Sequence, residues 1–137
     1  MTSNLIFLDT SFFKALVDIK DDFHLSALAW WKREKNKNIE YVTSNFILDE
    51  TFTILRSKCS KDIALEARMI IAEAEPSIKI IRVVIKDEAK AWQWFEKDWK
   101  GLSFTDCVTF ALLQRINITN VATFDQHFKK AGFAVLP

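Results

Sequence analysis

Residues 6–13 read IFLDTSFF, an apolar run interrupted by one aspartate and two hydroxyl residues before apolar residues resume. The residues before Asp9 have the character of a buried β-strand, and those after it continue as a helix. Asp9 therefore lies at a predicted strand-to-helix junction. A carboxylate at such a junction can cap the helix, or it can bind a metal ion at the end of the strand.

Strand-length apolar runs alternate with longer amphipathic stretches along the chain. The predicted strands are residues 4–8, 40–43, 78–85, 120–123 and 133–136. The predicted helices are residues 10–18, 22–36, 45–58, 61–75 (stopped by Pro76), 87–99, 104–116 and 125–131. Strands separated by helices indicate an α/β fold, in which helices cover both faces of a mostly parallel sheet. We expect residues 1–137 to form a single domain.

The composition excludes several classes of protein. With 19 basic and 18 acidic residues, the net charge of +1 argues against a protein that coats nucleic acid by bulk charge. The two glycines, Gly101 and Gly132, are too few for a P-loop or a dinucleotide-binding loop. The two histidines are too few and too far apart in sequence for a typical zinc site.

The sequence also bears on the compartment. No apolar run reaches the roughly 18–20 residues that a membrane span needs, and the first residues lack the basic leader of a signal peptide. Cys59 and Cys107 both lie in apolar helical contexts, which favours free thiols in a reducing compartment over a disulfide. We therefore expect a cytoplasmic protein without membrane association.

Four acids are predicted to meet at one edge of the sheet. Asp9 and Asp125 directly follow predicted strands, and Asp106 lies in the first turn of a predicted helix. Glu50 lies about a turn and a half into the helix after the second strand. Parallel α/β sheets bind ligands outside the carboxyl ends of their strands, so this edge is where a functional site is expected.

Each aspartate also has a purely structural explanation. Asp9 can cap the first helix, and Asp125 lies where a helix dipole favours any carboxylate. Ser103 and Asp106 have the spacing of a capping box, in which the acid reaches back to the amide of the cap residue. Taken singly, these positions favour capping.

Glu50 fits the capping explanation poorly because it lies too deep in its helix. On a helical wheel it lies beside Phe46, Ile47 and Ile54, whereas Asp49 faces solvent. A carboxylate on the crowded side is costly unless a partner compensates it, and converging carboxylates raise each other's pKa values. Carboxylate ligands suit hard ions such as Mg²⁺ or Mn²⁺, which support displacement at phosphate. Taken together, the four acids favour metal binding over capping.

These segments resemble the PIN-domain nucleases, in particular the VapC-type toxin ribonucleases of bacterial toxin–antitoxin pairs. The resemblance spans nearly the whole chain and agrees in order and spacing. The matching residues are Asp9 and Ser11 after the first strand, Glu50 in the helix after the second, Ser103 to Cys107 as an S-x-x-D-[AC] segment, and Thr123, Asp125 and Phe128 after a short strand.

The resemblance implies a three-layer α/β/α fold and Mg²⁺- or Mn²⁺-dependent endonucleolytic hydrolysis of RNA. It assigns catalysis and metal binding to four acids, Asp9, Glu50, Asp106 and Asp125. It gives Ser11 and Thr123 the role of orienting carboxylates or water, although both hydroxyls could equally cap helices. It further implies an RNA substrate, an antitoxin protein as partner, and a homodimer.

Other functions are less well supported. A phosphatase of the haloacid dehalogenase type needs a second acid two residues after the first, where this chain has Ser11. A receiver-type phosphoacceptor domain needs an acidic pair at the first strand, and here Asp87 follows the third strand only after a lysine. The main alternative is a non-catalytic PIN-like module that binds protein or RNA, which has no reason to hold Mn²⁺ among these side chains.

Two further features have a structural interpretation. Trp92, Phe95 and Trp99 recur at helical spacing, which is more typical of a core or a dimer face than of a surface for base stacking. His127 lies two residues past Asp125, which allows a place beside the site, although a surface position is the expectation.

Overall fold

The computed structural model describes residues 4–34, 38–75 and 77–137. The predicted helix stop at Pro76 and the end of the predicted second helix, residues 35–36, lie outside these ranges. The strands are β1 (Leu5–Leu8), β2 (Glu40–Ser44), β3 (Ile78–Ile81), β4 (Asn120–Ala122) and β5 (Ala134–Leu136). The helices are α1 (Thr10–Val17), α2 (His24–Glu34), α3 (Asn45–Ile54), α4 (Lys61–Glu73), α5 (Ile85–Phe95), α6 (Phe104–Ile116) and α7 (Gln126–Lys130), with a π-helical turn (Leu55–Cys59) after α3.

The five strands run parallel in one sheet, in the order β3-β2-β1-β4-β5. From β1 the chain first builds outward through β2 and β3, and then returns to the other side of β1 for β4 and β5. By the general rule for parallel sheets, this reversal places a ligand-binding crevice outside the carboxyl ends of β1 and β4. Helices α1 to α4 pack together, as do α5 to α7, which confirms the predicted three-layer α/β/α arrangement. Within the described ranges, none of these helices is long and apolar enough to cross a bilayer.

β1 is the centre of the core. It pairs with β2 along one edge and with β4 along the other, and Phe7 and Leu8 are fully buried. A strand with neighbours on both edges and helices on both faces requires apolar side chains at every position, which explains the continuous apolar run before Asp9. On α1, Phe12 and Phe13 extend the same core.

β3 ends earlier than predicted. The apolar run suggested a strand to residue 85, but Ser44, the last residue of β2, pairs with Ile81. Residues 82–85 therefore have no strand beside them. The amide of Val83 donates instead to the side-chain oxygen of Asn45 at 2.8 Å, and the chain turns into α5.

Two of the three aromatic residues in the predicted stripe lie outside the core, whereas Trp99 packs against it. Trp92 and Phe95 are 57% and 46% exposed, and both rings pack against Phe104. Trp94 faces inward and contacts Phe110. A core position is therefore wrong for Trp92 and Phe95, and their role at a dimer face stays a prediction.

A buried ion pair joins α5 to α6. Asp87 is 1% exposed, and Nε and Nη2 of Arg115 donate to its two oxygens at 2.7 and 2.9 Å. The amide of Val84 also donates to Asp87. Burial alone would raise the pKa of Asp87, but these hydrogen bonds outweigh burial and hold the pKa below its usual value. The pair fixes α5 against the helix that carries Asp106.

Replacing Arg115 by Met should lower the free energy of unfolding by about 1–3 kcal/mol, because a buried carboxylate loses its charged donor. Urea unfolding measures the change. The control is Lys79→Met, which removes an exposed pair with Glu40 and should cost less than about 0.5 kcal/mol. Equal effects of the two substitutions would contradict the role given to the buried pair.

Candidate active site

The structure brings the four predicted acids together at the carboxyl edge of the sheet. Asp9 directly follows β1, and Asp125 lies between β4 and α7. Asp106 lies in the first turn of α6, and Glu50 lies in α3. Burial raises the pKa of Asp106, and the charges of Asp9, Asp125 and Glu50 raise it further, as expected for carboxylates that lie close together.

Asp9 occupies the N-cap position of α1, but its side chain makes no capping hydrogen bond. The carboxylate is buried, and its Oδ2 accepts hydrogen bonds from Thr123 Oγ1 at 2.8 Å and Ser11 Oγ at 3.0 Å. The Asp125 amide donates to Thr123 Oγ1, and the Phe124 amide donates to Ser11 Oγ. Both hydroxyls therefore orient Asp9, and they join the end of β1 to the segment after β4.

Asp106 does cap its helix. Its amide donates to Ser103 Oγ at 3.0 Å, and its Oδ2 accepts from the Ser103 amide at 3.2 Å. Asp125 is itself the N-cap residue of α7, and its Oδ1 accepts from the amide of His127 at 2.9 Å. Both predicted caps are therefore present. They hold the carboxylates in place but do not explain why the acids converge.

Glu50 is partly buried inside α3, whereas Asp49 is exposed, as the helical wheel predicted. Burial raises the pKa of Glu50, a hydrogen bond from the side chain of Thr10 opposes that rise, and the charge of Asp125 adds to it. Thr51 donates to Thr10 at 3.1 Å. These two threonines place Glu50 within a buried polar network, which its sequence position alone did not indicate.

The four acids carry more negative charge than the neighbouring groups compensate. Burial, reinforced by Glu50, raises the pKa of Asp9 to about 6. Burial, reinforced by Asp9 and Asp125, raises the pKa of Asp106 to about 8. In the described part of the chain, no lysine or arginine forms an ion pair with any of these four acids. The site therefore favours a bound cation or, without one, bound protons.

His127 lies in the site, so the expected surface position is wrong. Its Nδ1 lies 2.8 Å from Oδ1 of Asp125 and 3.7 Å from Oδ2 of Asp106, and its Nε2 lies 2.9 Å from the carbonyl oxygen of Lys100. The sequence signal was only its place two residues after Asp125, because the loop that contacts its other nitrogen comes from a distant segment.

The ligand atoms that the structure brings together here fit a divalent cation. Asp106, Asp125 and His127 each offer one ligand atom, and these atoms lie within 4.8 Å of one another. Buried carboxylates that repel one another are the setting in which a hard cation offsets the cost of burial.

Comparison with known proteins relates this geometry to a family. The family model described as PIN domain matches residues 6–134. The 23S rRNA-specific endonuclease VapC20 of Mycobacterium tuberculosis is 34% identical over 130 residues, which cover 94% of this chain and 95% of that protein. Its crystal structure, described as that of a sarcin-ricin loop cleaving toxin, matches with a TM-score of 0.81 at 33% identity, covering 94% of this chain and 96% of the other.

Two more distant structures share the fold. FitAcB from Neisseria gonorrhoeae matches with a TM-score of 0.66 at 16% identity, over 96% of both chains. VapBC2 from Rickettsia felis, bound to a DNA fragment from their promoter, matches with a TM-score of 0.66 at 17% identity, over 96% of this chain and 97% of the other.

The metal-free protein should lose stability as the pH rises from 5 to 8. The ordinary pKa of these aspartates is 3.8, and the folded values are about 6 for Asp9 and about 8 for Asp106. The folded state thus binds more protons than the unfolded state across this interval, and that stabilisation is lost as the pH passes the folded pKa values. Thermal unfolding in the presence of a chelator measures this dependence.

Asp106→Asn should flatten the pH dependence and raise the Tm at pH 8 by about 5 °C, because it removes a buried charge and keeps a side chain that caps helices. Asp49→Asn is the control and should follow the wild type. A wild-type Tm that climbs steadily from pH 5 to pH 8 would contradict the electrostatics described here.

Proposed function

Because this chain belongs to the PIN-domain family, we propose that it is a metal-dependent endoribonuclease acting as one nuclease domain, and the toxin of a toxin–antitoxin pair. The observation that carries the proposal is the convergence of four carboxylates beside β1 and β4, with pKa values of Asp9 and Asp106 raised to about 6 and about 8. Buried acids perturbed by one another in a crevice are typical of catalytic sites. A module that only binds RNA or protein has no use for this arrangement.

The related VapC20 is an endonuclease specific for 23S rRNA. We therefore propose ribosomal RNA as the substrate of this chain, which places its action in the cytoplasm. VapBC2 of the same fold is bound to promoter DNA in its crystal structure. We propose an antitoxin protein as partner here, and a homodimer for which the exposed Trp92 and Phe95 are the candidate face.

The proposed metal ligands are the three aspartates of the crevice, with Glu50 completing the site and Mg²⁺ or Mn²⁺ as the ion. When bound, such an ion supplies positive charge for the phosphate and lowers the pKa of water. Hydrolysis would leave a 5′-phosphate and a 3′-hydroxyl.

The remaining roles belong to the protein. The hydroxyls of Ser11 and Thr123 fix the orientation of Asp9. The capping bonds of Ser103 fix Asp106, and the hydrogen bond from Thr10 orients Glu50. A site held this rigidly needs little rearrangement when the reaction develops charge, which is the basis of electrostatic catalysis.

The test is cleavage of 23S rRNA and of intact ribosomes by the purified protein with Mg²⁺ or Mn²⁺. Asp106→Asn and Glu50→Gln should each lower the rate by about 100-fold or more, since each removes a charge from the site. Asp49→Asn, one residue from Glu50 and exposed, should keep full activity. Cleavage that persists in chelator and survives Asp106→Asn would refute the proposal.

Thr123→Val tests how Asp9 is held, because it keeps the side-chain shape and removes the hydroxyl that donates to Asp9. Mn²⁺ affinity and cleavage rate should fall by about 10–100-fold, as when groups that orient metal ligands are removed. Calorimetry and the cleavage assay give the two values.

The matched control for that substitution is Thr109→Val. The Thr109 hydroxyl is also buried, but it donates to the backbone oxygen of Thr105 within α6. We expect a similar loss of stability with metal affinity retained. Equal losses of metal affinity in both variants would mean that the Thr123 hydroxyl has no specific role.

A further inference from the structure

We propose that His127 is itself a metal ligand of this site, and that its Nδ1 gives the site a preference for Mn²⁺ over Mg²⁺. The proposal rests on the proposed function and adds a nitrogen to a ligand set otherwise made of carboxylates. Its support comes from three observations: the orientation of the imidazole, the segment that holds it, and the surroundings of Nδ1.

The orientation follows from the contact with Lys100. Nε2 of His127 lies 2.9 Å from the backbone carbonyl oxygen of Lys100. A carbonyl oxygen only accepts hydrogen bonds, so Nε2 carries a hydrogen and Nδ1 is the ring atom left to bind a metal. Histidines that bind metals commonly donate their other ring N–H to a backbone carbonyl in this way.

The segment 99–101 holds the ring in this orientation. The Trp99 ring lies parallel to the imidazole, with an interplanar angle of 2° and centroids 6.3 Å apart. Gly101 has a φ of +78°, and a Cβ there would lie 3.8 Å from Cε1 of His127. The loop thus supplies a hydrogen-bond acceptor and a flat apolar neighbour, while the Nδ1 edge faces the acids.

Two carboxylate oxygens lie near Nδ1, one from Asp125 and one from Asp106. This atom is enclosed and has no hydrogen-bond partner, although Oδ1 of Asp125 lies only 2.8 Å away. The oxygen is thus close but out of line for a hydrogen bond with the ring. A cation bound at this point would contact both Nδ1 and this oxygen.

The spacing suits such a cation. An octahedral ion with bonds of about 2.1 Å places neighbouring ligand atoms about 3 Å apart. Asp106, whose Oδ2 lies 3.7 Å from Nδ1, supplies a third ligand on the same side. Imidazole nitrogen is a better ligand for transition ions than for Mg²⁺, which prefers oxygen, so the set favours Mn²⁺.

Pulsed EPR of the Mn²⁺-loaded protein tests the proposal without any RNA, because nitrogen bound to Mn²⁺ modulates the electron spin echo. The chain has only one other histidine, His24, whose Nδ1 faces the backbone oxygen of Ala15 in α1. We expect ¹⁴N modulation in the wild type and in His24→Gln, and its loss in His127→Gln. Labelling the histidines with ¹⁵N should change the modulation in the wild type.

Calorimetric titration gives a second readout. Mn²⁺ affinity should fall about tenfold or more in His127→Gln, whereas Mg²⁺ affinity should change less. The preference of the site for Mn²⁺ over Mg²⁺ should therefore decrease. Thermal unfolding confirms that both variants are folded.

The outcomes separate this inference from the proposed function. Mn²⁺ binding that Asp106→Asn abolishes, with no nitrogen modulation or with modulation that survives His127→Gln, would overturn the role of His127 and leave the nuclease proposal intact. A wild-type protein that binds no Mn²⁺ would overturn both.

Discussion

The buried carboxylate of Asp9 is the constraint on which the arrangement of the site depends. It lies at the end of the central strand, and its two hydroxyl donors come from different parts of the chain, Ser11 in α1 and Thr123 after β4. The same Thr123 oxygen accepts the amide of Asp125. Satisfying one carboxylate therefore fixes how the two strands meet and where the next acid begins its helix. The unrelieved repulsion among these acids is what gives the crevice its affinity for positive charge.

Helix capping and the proposed metal binding are compatible in this molecule. Asp106 and Asp125 both cap helices, and the capping bonds are what hold their carboxylates at the crevice. Asp9 occupies a cap position and does not cap at all. The sequence pattern common to all three was an acid at a helix start. Only the structure shows which of them also stabilises its helix.

The alternation of strands and helices was sufficient to predict the parallel sheet, and the rule on carboxyl ends placed the aspartates. Glu50 followed from its position on a helical wheel. The end of β3 could not be predicted, because it depends on where the neighbouring strand stops, at Ser44. The orientation of His127 could not be predicted either, since Lys100 lies 27 positions earlier in the chain. Local periodicity carries no information on contacts between distant segments. The errors at the end of β3 and at His127 both have this cause.

The joining of β1 to β4 also affects the order of folding. Asp9 and Thr123 lie 114 positions apart, and closing so long a loop costs more chain entropy than a local contact, so we expect this contact to form after the local helices. Until β4 docks, Asp9 has only the nearer of its two hydroxyl donors, Ser11, and Asp125 is not beside it. A chain still emerging from a ribosome thus has no assembled site, however much of its first half has folded. The topology itself keeps the site incomplete until the segment that carries Thr123 and Asp125 has docked beside β1.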